Sequence, residues 1–398
     1  MRANTNSARH VPRTEPKETH PLTLEKLIAD EFPLRPDLIY LNHAAVAPWP
    51  RRTATAVRTF SQENMRAGAA NYPGWLKVQQ SLRAQCATFI NASSADDIAF
   101  LKNTSEALSV VAHGFPWAQG DSIVIGAEEF PSNRIVWESL EPRGVTVRFV
   151  ELSNQADPEQ ALLAAADSRT RLISVSSVQY ASGLRLDLVR LGELCRSRGI
   201  AFCVDAIQGL GVFAHDVDAM GIDFLMADAH KWLLGPEGVA VFYCHSKWRD
   251  RLTLHQFGWH MVNDAGNFDR QDWQIAASAR RFECGSPNML GIHALQASLS
   301  LLMQVGISEI EQRVLARAQQ LFASINAQRD LELISSSAPG RYAGIVTFRH
   351  RHRKNDELHT RLRELGVVCA ARGGGIRFSP HFYTPLEQLD RALSFALG

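Results

Sequence analysis

One lysine in an apolar setting offers this chain its clearest chemistry: Lys231, in "MADAHKWLLGPEGVAVFYC" (Met226 to Cys244). Burying an ammonium costs several kcal/mol unless it is paired or neutralised. An amine whose pKa is lowered by such a site is a nucleophile toward carbonyls and can be held as an imine. Taken alone, a lysine at a strand end is more commonly a solvated surface group. Asp205, in "CVDAIQG", changes the weighing, because a carboxylate there can hold the proton of a pyridinium nitrogen and make a bound ring an electron sink. Its commoner role in isolation is a helix N-cap. "FLKNTSEALSVVAHG" sets Asn103, Thr104 and Ser105 ahead of a helical run, where amides and hydroxyls face an anion at the positive helix end; the same letters also fit a capping pattern. Phe130, in "AEEFPSNRIVW", can stack on a heteroaromatic ring or simply pack in a core. Arg377, in "GIRFSPHFYT", can grip a carboxylate with two parallel hydrogen bonds or form a surface ion pair.

These residues need a scaffold that brings them to one place. The strand-length runs "SIVIGAE", "VTVRFVEL", "RLISVSSVQY", "IAFCVDA" and "DFLMADA" alternate with amphipathic helical stretches, the pattern of a mostly parallel sheet in a three-layer αβα domain. "GVAVFYC" follows "DFLMADA" too closely for a helical crossover and is expected to run antiparallel. Beyond about residue 285 a long helical pattern leads to the short strands "AGIVTFRH", "GVVCAAR" and "GIRFSP" and a last amphipathic helix. The expected division is a mobile arm over 1–22, a segment over 23–40 packing on the C-terminal unit, a large domain over 41–284 and a smaller α+β domain over 285–398. Ligands of open parallel sheets lie beyond the carboxyl ends of the strands. Asp205, His230, Lys231, Gln179 and Tyr180 all fall at such ends and are expected to converge on one rim.

The order and spacing of "YLNHAAVAP", "VDAIQG", "HKWLLGPEG", "RFECGSPN" and "IRFSPHFYT" resemble the class V aminotransferases, fold-type I pyridoxal-phosphate enzymes that include cysteine desulfurases, kynureninase and isopenicillin N epimerase-like proteins. The likeness spans Tyr40 to Thr384. It implies a seven-stranded large-domain sheet and pyridoxal 5′-phosphate as cofactor. Lys231 would form the internal aldimine and shuttle the α-proton of the external one. Asp205 would pair with the ring nitrogen, Gln208 would contact the ring hydroxyl oxygen, and Phe130 would stack. Thr104, Ser105 and His230 would surround the phosphate, with Trp259 of "QFGWHMV" reaching it from a second subunit of a homodimer. Arg377 would bind the substrate carboxylate, and Asn42 and His43 would line the entrance beside Gln179 and Tyr180. Two departures stand out. Asp228 occupies the place of a phosphate-binding Ser or Thr and is expected to turn away or pair elsewhere. Glycines of "VVCAARGGGIRFSP" stand where group II desulfurases carry a nucleophilic cysteine, while Cys369 reads as a buried strand residue.

Composition narrows the rest. With 42 basic and 41 acidic side chains in 398 residues, the chain lacks the footprint of a nucleic-acid or anionic-membrane binder. No apolar run approaches the roughly 20 residues that span a bilayer, and "MRANTNSARHVPRTEPKETHP" has no signal-peptide core. The six cysteines form no CxxC pair, so no metal site is expected and a cytoplasmic setting fits. The expected activity is that of an aminotransferase on an α-amino acid, with a C–S or other β-lyase or an epimerase as alternatives that use the same residues. A catalytically silent pyridoxal-phosphate binder is the non-enzyme alternative, and a dinucleotide enzyme is disfavoured by the lack of G-x-G-x-x-G after an early strand.

Overall fold

In the computed structural model the described residues are 23–398, so the expected N-terminal arm lies outside them. The strands in chain order are β1 (Ile39–Tyr40), β2 (Ile98–Leu101), β3 (Ser122–Gly126), β4 (Thr146–Val150), β5 (Thr170–Ser176), β6 (Ala201–Asp205), β7 (Phe224–Asp228), β8 (Ala240–Cys244), β9 (Leu331–Leu333), β10 (Val346–His350), β11 (Val367–Val368), β12 (Ala370–Arg372) and β13 (Gly375–Phe378). Seven of them form one sheet in the order β2-β8-β7-β6-β5-β3-β4. Its neighbours are parallel except around β8, which runs antiparallel to both β7 and β2, as the short β7–β8 connection requires.

The central strands are buried on both faces, and their alternating side chains feed two separate cores. Val124, Phe202, Val204 and Leu225 enter one core, which also takes Ile292, Leu295 and Leu299 of the helix Met289–Val305. Ile123, Cys203, Phe224 and Met226 enter the other, against Leu108 and Val111 of the helix Thr104–Gly114 and Trp137 of the helix Ser132–Glu138. That is the αβα layering expected of the large unit. β2 escapes the strand signals of the sequence because it is only four residues long and is followed at once by a helix.

A second sheet, β12-β13-β10-β9, is wholly antiparallel and packs Val346, Phe348, Ile376 and Phe378 against the helices Ile307–Asn326 and Leu386–Leu397. β1 pairs in parallel with β11, Ile39 opposite Val367 and Tyr40 opposite Val368, so this segment joins the C-terminal part. Two local expectations change. "GVVCAAR" is not one strand but two, β11 and β12, with Cys369 between them. The long helical pattern is two helices, Met289–Val305 and Ile307–Asn326, bent by 83° at Gly306, whose φ of 88° suits glycine. Among the described residues no single helix is long and apolar enough to cross a membrane; this bent pair meets the length and composition together, but its apolar face is spent inside the core.

Candidate active site

The carboxyl ends of β5, β6 and β7, at Ser176, Asp205 and Asp228, open onto one cavity of about 550 Å3. The residues after β2 and β3 complete one side, with Asn103, Thr104, Ser105 and Phe130. β12 and β13 close the other with Arg372 and Arg377. Of the residues expected on a parallel-sheet rim, Asp205, His230, Lys231 and Tyr180 line this cavity and Gln179 does not.

Lys231 follows β7 and is buried on the cavity wall. Burial lowers its pKa; Asp205 and Asp228 oppose that shift, whereas Arg377 and Arg372 add to it. Its Nζ lies 5.6 Å from the Phe130 ring centroid. Asp205 ends β6, and its Oδ1 accepts the Ile207 N–H at 3.0 Å. Burial and the neighbouring Glu129 push its carboxyl up, while the Ile207 hydrogen bond and Lys231 hold it down. A buried acid in that condition favours a cationic partner.

The segment before the helix Thr104–Gly114 caps it and is tied to the end of β7. Asn103 Oδ1 accepts the Glu106 N–H at 2.8 Å, the cap reading. Asp228 Oδ2 accepts the Thr104 N–H at 3.2 Å, and Thr104 Oγ1 accepts the Asp228 N–H at 3.1 Å. Asp228 thus pairs with the helix start, and burial pushes its carboxyl up to about 6. Ser105 Oγ donates to Ser132 Oγ at 2.8 Å, placing two hydroxyls on the cavity edge. His230 is pushed down to about 4 by burial and by Lys231, so its imidazole is neutral at pH 7.

Gln208 is held at both ends: its Nε2 donates to Ala44 O at 3.0 Å, and its Oε1 accepts Trp232 Nε1–H at 2.8 Å. One Nε2 hydrogen remains for a ligand on the cavity side. Arg377 is 1% exposed, and its Nη1 donates to Tyr180 O at 2.7 Å. Burial and Arg372 lower its pKa only to about 10, which leaves it charged at neutral pH. Tyr180 packs edge-on to Phe130 at 5.1 Å.

Among the described residues, Asp228 Oδ1, His230 Nδ1 and Arg377 Nε and Nη2 are buried on this wall without a hydrogen-bond partner. Buried polar atoms are almost always bonded, so such a group around one cavity marks where a polar ligand fits. An amine, a buried acid opposite it, a flat ring, a hydroxyl-lined helix start and a free guanidinium edge match an aldehyde-bearing pyridine phosphate and an amino acid.

Four expected site residues are not on the cavity wall. His43 is fully buried, its Nδ1 paired with Ser379 O at 2.8 Å and its Nε2 with Tyr383 Oη at 2.6 Å. It ties the N-terminal segment to the C-terminal sheet and does not line an entrance; Asn42, next to it, is bridged to Ser379. Gln179 lies behind the wall, donating to Glu129 Oε1 at 2.7 Å. Trp259 sits on a separate groove and is 39% exposed.

The cavity also contains residues that the sequence reading missed: Lys102, Ser132, Glu237 and Arg372. Behind it, Glu129 is a buried carboxylate that accepts from Ser176 N, Ser176 Oγ, Asn133 Nδ2 and Gln179 Nε2. Its position one residue before Phe130, directly after an apolar strand, was the available signal. Cys86, Cys195, Cys203, Cys244 and Cys369 are buried, with Cys369 pushed up to about 12 by burial. The partly exposed Cys284 lines a different groove, so no thiol lines the cavity.

The family model described as Aminotransferase class-V matches residues 39–391. A probable cysteine desulfurase of Methanothermobacter thermautotrophicus is 30% identical over 383 residues, covering 90% of this chain and 94% of that protein. The apo structure of a cysteine desulfurase from Thermococcus onnurineus superposes with a TM-score of 0.84 at 23% identity, over 92% and 96% of the two chains. The cystine C–S lyase C-DES, solved with cysteine persulfide, does so at 0.84 and 23%, over 90% and 97%. A model match over most of the chain, on a fold with the lysine and acid of that chemistry in one cavity, makes this chain a member of the class V aminotransferase family of pyridoxal-phosphate-dependent enzymes.

Proposed function

We propose that this enzyme is a C–S lyase that removes a sulfur-bearing fragment from Cβ of an α-amino acid. The observation that carries the reading is a cavity with Lys231 and a free Arg377 edge in its wall and no thiol among its lining residues. Sulfur can leave a substrate there but has no protein cysteine to receive it. The names of the relatives, desulfurases and a cystine C–S lyase, support sulfur chemistry over simple amino transfer.

Bound pyridoxal phosphate would supply an electron sink for the pair left when the Cα–H bond breaks. The residues of the chain do the rest. Lys231 takes the α-proton at Nζ, a role suited to an amine whose pKa burial has lowered. Asp205 would hold the proton of the ring nitrogen. Phe130 would stack on the ring, and the spare Gln208 amide hydrogen would serve the ring oxygen. Ser105, Thr104 and His230 would hold the phosphate, and Arg377 Nε and Nη2 would grip the substrate carboxylate. The net reaction, amino acid plus water to thiol, pyruvate and ammonia, balances without a redox partner.

We also read the aromatic groove around Trp259, with Phe257, Phe268 and Trp273 exposed, as covered by a second copy of the chain. The division into a large domain over 41–284 and a small one over 285–398 belongs to the same proposal. A panel of cysteine S-conjugates and ordinary amino acids, read for thiol, pyruvate and ammonia with and without a keto-acid acceptor, tests the activity. Acceptor-independent pyruvate with thiol is expected; keto acid that appears only with an acceptor makes the enzyme a transaminase instead.

A further inference from the structure

Arg372 has no place in the chemistry above, yet it lines the same cavity as Arg377. The two lie on one antiparallel hairpin, Arg372 opposite Gly375 and Arg377 opposite Ala370. Residues two apart along a strand share a face, so both arginines project from the same side as diagonal neighbours roughly 7–8 Å apart, their Cβ atoms somewhat closer. They differ in depth. Arg377 is buried beside Lys231, whereas Arg372, next to the turn, is exposed at the cavity mouth. Neither makes an ion pair with a carboxylate of the described residues: Arg377 gives only its Nη1 to Tyr180 O and keeps Nε and Nη2 unpartnered, and no carboxylate pairs with Arg372. The acids in the cavity wall, Asp205, Asp228 and Glu237, lie on the strands of the large sheet and the loop that follows β7, across the cavity from the hairpin. Arg372 also lowers the pKa of both Lys231 and Arg377, as a nearby uncompensated cation does. Two like charges on one face with no counter-charge cost stability unless a ligand supplies it.

We propose that Arg372 is the receptor for a second anionic group on the substrate, so that the enzyme takes a dianionic amino acid whose departing sulfur fragment ends in a carboxylate or sulfonate. The spacing sets the reach. With the α-carboxylate on Arg377, a guanidinium one diagonal step outward meets a charge a few bonds beyond the sulfur. This names the substrate class of the proposed C–S lyase and rests on that reading for the sulfur; the anion pair itself does not need it.

The test separates the two. With the holoenzyme, calorimetric binding of adipate is compared with that of its monoamide, in wild type and in Arg372→Gln, an exposed position where the fold tolerates the change. Wild type should hold the dicarboxylate roughly tenfold more tightly, the scale of one charge-assisted contact, and the variant should lose that preference. An affinity ratio near one in wild type, or one unchanged by the substitution, overturns the proposal. In parallel, S-(2-carboxyethyl)cysteine and its amide are assayed for pyruvate. The acid should win through KM with little change in kcat, and equal KM values for acid and amide count against a second receptor. A dicarboxylate preference with no pyruvate from either conjugate keeps the anion pair and removes the lyase reading.

Discussion

Lys231 and Asp205 depend on each other through burial. Each is costly alone in this wall, and each shifts the other toward its charged form. Lys231→Ala should abolish turnover, and borohydride should no longer fix the cofactor to the protein, read as the missing mass increment at the peptide containing position 231. Retained turnover would take the amine out of the mechanism. Asp228 carries a stability consequence. Its folded pKa of about 6 lies above its ordinary value of 3.8, so the folded chain holds an extra proton between those values. That contribution is complete below the unfolded pKa and is lost as pH rises through the folded one. Asp228→Asn keeps an oxygen for the Thr104 amide and has no charge to desolvate. In the cofactor-free protein, its unfolding free energy relative to wild type should climb between pH 4 and 7, reaching a gain on the order of 1–3 kcal/mol. A flat difference would mean that Asp228 is not desolvated.

The β12–β13 hairpin places two arginines, Arg372 and Arg377, in the cavity lining. Gly373 and Gly374 join the strands with φ of 63° and 78°, the two left-handed positions of the tightest hairpin turn. The turn brings Arg377 inward, fixes Arg372 beside it and leaves no loop on which a thiol could stand. A β-branched side chain at Gly374 would strain this turn by about 1–2 kcal/mol. Gly374→Val should therefore lower stability by that amount in urea melts and raise KM several-fold, with the cofactor absorbance band unchanged. An altered band with normal KM would place the hairpin's role at the cofactor instead. The helix Thr104–Gly114 works in the same way at the other end. Its first turn is locked to the end of β7 by reciprocal Thr104–Asp228 bonds, which fix Thr104 relative to the strand that leads to Lys231.

Phe268 is 77% exposed and Phe257 62%, a large apolar patch for a chain of this size to leave in water. A homodimer should be the form found by light scattering. Phe268→Asp should shift it to the mass of one chain and weaken cofactor retention, if Trp259 completes a neighbour's phosphate site. A variant that remains fully dimeric would move the interface elsewhere on the molecule. One core takes in both Val204 and Leu225 of the seven-stranded sheet and Ile310, Ile345 and Phe382 of the C-terminal part, so the packing is continuous between them.

Much of this was legible one residue at a time. Lys231, Asp205 and the Thr104 helix start sit at switches between apolar strand and polar turn, and parallel strands put such switches on one rim regardless of detail. The αβα layering followed from runs buried on both faces. What the linear pattern could not carry was depth and partner. His43 reads as an accessible site residue, yet Ser379 and Tyr383, more than three hundred positions away, seal it inside. Arg372 reads as a surface cation until the Gly373–Gly374 turn sets it beside Arg377. Residue type and period are local quantities and are written in the chain; burial and proximity of distant side chains arise only when sheets close against each other, and those decided which charges face the substrate.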